Sequence, residues 1–301
     1  AMLIMNAIEQ VGVVDADGNL MIGRKALNEA IRGTTGYKGL TGTLTCDENG
    51  DCGVGSVAVS MVQAGAWVAA EAPAAPAELG KVIIGINAEY PPFESVDEAG
   101  NIVGFDPEMV DAIAKAAGFE YEFVNTKWDG IFVALAAGEF DAVCSACTIT
   151  EERAKTVDFS DPYFNAGQAI VVRADTTDIA GPADLAGKKA GVQLGTTGDI
   201  WLTEETEAEV VRYEENTLAF QAVAAGDVDA AVADSPTAAE IVRANPEMNL
   251  KVLDGVYTDE LYGIAVNKDK PEVLEAINKG LAAIKADGTY DAIYDKYFGT
   301  E

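Results

Sequence analysis

The sequence contains no histidine, only 20 Lys and Arg against 50 Asp and Glu, and only four cysteines in 301 residues. Without histidine, the Ser-His and Cys-His nucleophile pairs, histidine general bases and histidine metal ligands all fall away. A net charge of -30 argues against nucleic acid as a partner, because phosphate binding needs clustered Lys and Arg that release counterions. The same charge would attract cationic small molecules, although most of it reads as an ordinary solvated acidic surface. No run of 18 apolar residues exists. The richest stretch, AVSMVQAGAWVAA at 58–70, is short and broken by Ser60 and Gln63, so the chain does not read as membrane-spanning. Its opening, AMLIMNAIEQ, lacks the basic segment of a signal peptide.

The four cysteines fall into two close pairs. In TLTCDENGDCGV, Cys46 and Cys52 bracket a turn sequence between two β-prone runs, and a hairpin there would bring them within the ~6 Å Cα separation of a disulfide. Such a bridge suits an oxidising, extracytoplasmic setting. Cys144 and Cys147, in VCSACTITEER, have the CxxC spacing. A zinc site would have to recruit Cys46 and Cys52 from across a linker, and a redox CxxC normally starts a helix with its first thiol exposed. Cys144 instead ends an apolar run, so this pair reads as small core residues.

What is present is an alternating α/β pattern. AAEAPAAPAEL at 69–79 reads as a semi-extended linker. It separates an N-terminal appendage, residues 1–68, from about 220 residues that look complete in themselves. The appendage reads as helix, turn (DADGN), helix (RKALNEAIRG) and a hairpin around the first cysteine pair, and is too small for a convincing core. After the linker, KVIIGIN reads as a buried strand and FDPEMVDAIAKAAG as a helix with Pro107 in its first turn and Gly118 as its stop. The strand-helix-strand order continues to ITEERAKTVDF, then restarts at QAIVVRAD. It predicts two mainly parallel sheets, with lobe 1 formed by 80–168 and 264–301 and lobe 2 by 169–263. Ligands of open α/β sheets sit beyond the carboxyl ends of the strands, so the cleft between the lobes is the expected site.

Residues at those strand ends carry the chemistry. Asn87 and Tyr90 follow the first strand, and Trp128 follows the second, where an aromatic face suits stacking. In ACTITEER, Thr148 or Thr150 is expected to cap a helix carrying Glu151, Glu152 and Arg153 in its first turn. A cation at that end of the helix dipole requires a carboxylate partner, supplied by a ligand or by a surface acid. GVQLGTTGD repeats the geometry, with Gln193 at a strand end and Thr196 and Thr197 at a helix N-terminus suited to an anion. Asp234 ends the apolar run VDAAVAD, poised for an ammonium. One arginine, one aspartate, helix-start donors, aromatics and neutral amides fit a zwitterion. No activated nucleophile or acid/base pair accompanies them, so no enzyme activity and no cofactor are expected.

At YPPFES, GFDPEMV, ITEER, DFSDPYF, GVQ-GTT and DGTYDAIYDKYFG, from about Lys81 to Gly299, the sequence resembles the solute-binding proteins of polar amino acid ABC transporters, a type II periplasmic-binding-protein fold. The resemblance implies that Arg153 and Thr148, helped by Thr197, hold the ligand carboxylate, and that Asp234 and the Ala146 carbonyl take the α-ammonium. It implies that Tyr90 and Trp128 stack on the ligand side chain, with Asn87 and Gln193 at its end. Strands near 165–170 and 260–266 would be the hinges of a closing cleft. Delivery to a membrane permease, an extracytoplasmic location and lipid anchoring of the full-length protein are implied by the same resemblance.

Basic-amino-acid binders of this kind usually carry an acid where Asn87 stands, and glutamine binders carry positive or imidazole groups where Gln193 and Ala233 stand. The GVQ-GTTG segment resembles arginine binders, which together with the acidic field puts arginine or lysine ahead of glutamine. A ligand-sensing module and a dehydratase-type enzyme on the same fold are the alternatives. Residues 6–53 resemble the C-terminal end of a type I branched-chain amino acid binding protein, which implies an appendage without its own binding site, expected to pack on a neighbour or form a homodimer.

Overall fold

The computed structural model describes residues 79–299 throughout and, before them, residues 13–14, 20–21, 30, 37–39, 42–46, 52–53, 60–63 and 66–69. The chain divides into two units, Ala1–Ala77 and Glu78–Glu301. In the first, Val13–Val14 pairs antiparallel with Leu20–Met21, so a strand stands where the sequence suggested a helix before DADGN. The β-branched pair Val13 and Val14 favours a strand there. Thr45 and Cys46 pair with Gly53 and Cys52, which sets the two cysteines directly opposite one another in the backbone register. Ser60–Gln63 and Ala66–Ala69 form a further antiparallel pair within the apolar stretch noted above. Most of the 69–79 linker, the type I resemblance and the dimer expectation lie outside the described residues.

The second unit contains two five-stranded sheets of one design. The first is built from β1 (Val82–Ile86), β2 (Tyr121–Asn125), β3 (Ala142–Val143), β4 (Val157–Phe159) and a strand from the far end of the chain. Between the strands lie helices α1 (Phe105–Ala117) and α2 (Ile131–Ala136). After β4 come β5 (Phe164–Ala166) and β6 (Gln168–Arg173), which lead into the second sheet. That sheet continues with β7 (Lys189–Gln193), helix α3 (Thr197–Glu205), β8 (Glu209–Tyr213), helix α4 (Asn216–Ala225), β9 (Ala230–Asp234), helix α5 (Ser235–Ala244) and β10 (Leu250–Val252). The chain returns through β11 (Glu260–Tyr262) to β12 (Ala265–Asn267) and closes with α6 (Pro271–Ala286) and α7 (Thr289–Phe298).

The orders are β2-β1-β3-β12-β4 and β8-β7-β9-β6-β10. In each, the strand-helix-strand units pair in parallel, while the strands delivered by the crossover pair antiparallel. Four of the five strands of each sheet thus run in one direction, mainly parallel as expected, and the fifth, β12 or β6, opposes them because it arrives from the other lobe and enters from the opposite end. The crossover itself is the antiparallel pair β5 and β11, with Phe164 opposite Tyr262 and Ala166 opposite Glu260. LYGIAVNK is thus two strands, broken at Gly263, where a Cβ would stand 2.9 Å from Ile149 Cδ1.

Apolar faces bury as their spacing demands. Met109, Val110, Ile113 and Ala114 of α1 pack with Ile277, Leu281 and Ile284 of α6 in one core. Gly280 permits the close approach of these helices, since a Cβ there would lie 2.6 Å from the Ile113 carbonyl oxygen. Alanine at 280 gains ~1 kcal/mol of helix propensity, but overpacking against backbone costs about 1–3 kcal/mol. The Gly280→Ala variant is therefore expected to be less stable by up to ~2 kcal/mol, read as a lower denaturant midpoint at unchanged slope.

Candidate functional site: a cleft between two sheets

Both sheets present the carboxyl ends of their strands to a cleft of about 320 Å³, lined by Asn87, Tyr90, Glu94, Trp128, Ser145, Ala146, Thr148, Arg153, Gln193, Thr196, Thr197 and Asp234. All ten residues singled out in the sequence are brought together there; Glu94 and Ser145 are additional.

At one end stands Arg153. ITEER does not start an α-helix: the chain makes one tight turn, Arg153–Lys155, before β4, too short for a dipole. The reason for Arg153's prominence is instead its surroundings. Its Nη1 donates to the Thr148 carbonyl at 2.8 Å, and its guanidinium lies over Phe132 and Trp128, 4.5 and 5.2 Å from the ring centres. Among the described residues no carboxylate lies within ion-pair distance of it, and burial pulls its pKa below the ordinary value. Glu260 and Asp234 act on it only at longer range, so its remaining N–H donors are left without an ion-pair partner among the described residues.

Thr148 links this end to an acidic cluster. Asp234, only 5% exposed, ends β9 and accepts from Gln168 Nε2 and the Tyr262 hydroxyl. Burial first, and then the neighbouring Glu260, push its carboxyl up to about 6. Glu260, on β11, accepts from Gln168 Nε2 and Thr258 Oγ1 at 2.8 Å, from Thr148 Oγ1 at 2.7 Å and from Thr197 Oγ1 at 2.6 Å. The two threonine protons are thus given to Glu260. Donors for an anion come instead from Arg153 and from the start of α3, whose first N–H groups have no acceptor within the helix. Thr196 caps that helix, its Oγ1 accepting from Asp199 N at 3.2 Å.

At the other end the groups are neutral amides. Gln193 Oε1 accepts from Asn216 Nδ2 at 2.7 Å, and its Nε2 donates to the Glu214 carbonyl at 3.0 Å and only weakly, at 3.4 Å, to Asn87 Oδ1. Asn87 Nδ2 is committed to the Thr126 carbonyl at 3.0 Å. Ser145 Oγ donates to Glu94 Oε1 at 2.7 Å and accepts from Asn87 N at 3.0 Å. What remains open toward the cleft is mainly acceptor capacity, on Asn87 Oδ1 and Ser145 Oγ.

The two lobes touch around the cleft. Trp128 Nε1 donates to the Gly195 carbonyl at 3.2 Å, Asp234 N donates to Tyr90 Oη at 3.3 Å, and Lys127 pairs with Glu214 at 2.7 Å. Ala146 holds the left-handed conformation, φ 46°, and its N–H donates to Asp106 Oδ2 at 2.8 Å. Cys144 and Cys147 are fully buried free thiols, pushed up by burial and so unreactive at neutral pH. No helix among the described residues is long and apolar enough to cross a membrane.

Glu94 and Ser145 escaped sequence reasoning because neither sits at a helix start or strand end with a charge to explain. The signal for Glu94 was a lone acid between Phe93 and Ser95 in an aromatic, proline-rich turn.

Residues 82–300 match the family described as bacterial extracellular solute-binding proteins, family 3. A probable histidine-binding protein of Neisseria gonorrhoeae is 38% identical over 240 residues, which cover 77% of this chain and 88% of that protein. An ancestral arginine-binding protein bound to arginine is 45% identical, with a TM-score of 0.71, over 74% of this chain and 100% of that one. In complex with glutamine, an ancestral arginine-binding protein superposes with a TM-score of 0.70 at 46% identity, over 73% of this chain and 99% of that one.

Proposed function

Because this chain belongs to the bacterial extracellular solute-binding proteins, family 3, we propose that it captures a free polar L-amino acid in the cleft and hands it to an ABC transporter permease outside the cytoplasm. The observation that carries this reading is the presence of opposites in one cleft: an arginine with no ion-pair carboxylate among the described residues and a buried aspartate both line it. A zwitterion supplies the missing partner to each. Its carboxylate meets the Arg153 fork and the start of α3, and its ammonium meets Asp234, with Tyr90 and Trp128 flanking the side chain. Burying only one of these charges would leave the other unpaired and costly.

Side-chain preference is set at the distal end. Free acceptors on Asn87 and Ser145 favour a side chain rich in N–H donors, which places arginine first and lysine next. Glutamine is the runner-up, since neutral amides also line this end and an ancestral arginine-binding relative holds glutamine. No turnover is part of this reading. Calorimetry with the twenty amino acids tests it: arginine is expected to bind tightest, near micromolar, or roughly 8 kcal/mol. Tight binding of an acidic or branched apolar amino acid instead would refute the assignment.

A further inference from the structure

Beneath the cleft lie two carboxyls that the zwitterion does not use. Glu94 and Asp106 are both 0% exposed. Glu94 Oε1 accepts from Ser145, while its Oε2 has no hydrogen-bond partner. Asp106 Oδ2 accepts from Ala146 N and from the Tyr163 hydroxyl, each at 2.8 Å, while its Oδ1 has none. The two carboxyls are held by successive residues, Ser145 and Ala146, and act on one another. A buried acceptor without a partner is costly, and two on adjacent carboxyls are both satisfied if one proton lies between them.

Building on the amino acid reading above, we propose that Glu94 and Asp106 share one proton across Oε2 and Oδ1, and that the single negative charge left on the pair, one hydroxyl behind the cleft floor, selects a cationic ligand side chain. It supplies the counter-charge that Asn87 does not. The groups facing the pair leave that charge unbalanced. Ser145 is neutral; Cys144, whose thiol reaches Asp106, and Cys147 and Tyr163 are held neutral by burial; and among the described residues no cation pairs with either carboxyl. Burial raises both carboxyls, Glu94 well above its ordinary range and Asp106 to about 6, in the direction that keeps one proton on the pair. Ser145 then has one lone pair left for the ligand, lying between the cation and the charge behind it.

Two measurements test this. Infrared spectroscopy of the ligand-free chain at pH 7 is expected to show the carbonyl band of a buried protonated carboxylic acid, absent from Glu94→Gln. Calorimetry then compares arginine with citrulline, its uncharged isostere. Whatever the absolute affinities, the preference for arginine is expected to hold within about threefold in Glu94→Gln, whose amide stands in for the protonated acid and leaves Asp106 charged. It should collapse at least tenfold in the double variant Glu94→Gln/Asp106→Asn. Absence of the band, loss of the preference in Glu94→Gln, or its survival in a folded double variant overturns the proposal. If the double variant fails to fold, the band and the single variant decide. A wild-type chain that binds neither ligand overturns the amino acid reading, and charge selection with it, whereas the band still decides the shared proton.

Discussion

Replacing Arg153 by alanine is expected to weaken amino acid binding by about 2–5 kcal/mol, roughly thirtyfold to several thousandfold, with lysine at this position recovering little. The guanidinium is fixed before any ligand arrives, by the Thr148 carbonyl at 2.8 Å and by the rings of Phe132 and Trp128. Its planar fork offers two parallel donors to a carboxylate, a geometry that a lysine ammonium does not reproduce. Without Arg153 the ligand carboxylate would enter a desolvated cleft facing Asp234 and Glu260 with no counter-charge. The variant should still fold, because Arg153 makes no ion pair among the described residues. Calorimetric titration together with a denaturation curve checks both halves. Affinity within fivefold of wild type would mean that the carboxylate is held elsewhere.

Binding should also weaken as pH falls, about tenfold by pH 5, and Asp234→Asn should bind at least about a hundredfold more weakly while losing that dependence. The ligand-free Asp234 carboxyl, raised from 3.8 to about 6, is largely protonated at pH 5. An incoming ammonium requires the ionised form and draws the pKa back down, so at pH 5 a proton must first leave. The penalty is 1 + 10^(6−5), about elevenfold, and it vanishes near pH 7. Citrulline is the suitable probe, because its backbone groups keep their charges over this range and its side chain has none, which isolates Asp234 from Glu94 and Asp106. Stability without ligand runs the opposite way. A carboxyl raised in the folded state contributes stability that is fully present below its unfolded value and is lost as pH rises through about 6, by up to ~3 kcal/mol for a shift of this size. Asp106, also raised to about 6, adds in the same direction. The ligand-free protein is thus expected to melt higher near pH 4–5 than at pH 7, while the ligand-induced gain in melting temperature grows with pH. An affinity flat between pH 5 and 7 would mean that Asp234 is already ionised in the empty cleft.

Much of the site was legible in the sequence because it is local. Asn87, Trp128, Gln193 and Asp234 stand at or just beyond the end of a strand, and Thr196 and Thr197 stand where a helix opens. Arg153 was found for a reason that fails. No helix dipole opposes it, and its need for a partner comes from burial over two rings with no carboxylate within ion-pair distance among the described residues. Thr148 and Thr197 lie at the cleft as the resemblance implies, yet their hydroxyl protons go to Glu260, which sits more than 60 residues from either in the chain.

The sequence by itself determined the alternation of strands and helices, the strand-end residues of the cleft and the burial of Cys144 and Cys147. Each of these rests on periodicity, turn chemistry and polarity over a few neighbouring residues. Only the tertiary structure decided which charges meet. Glu94 faces Asp106, Gln168 joins Asp234 to Glu260, and the returning strand enters antiparallel because it arrives from the other lobe. Such partners come from segments far apart in the chain, and a carboxyl's proton, like a hydroxyl's direction, is set by whichever group packing brings within three ångströms of it.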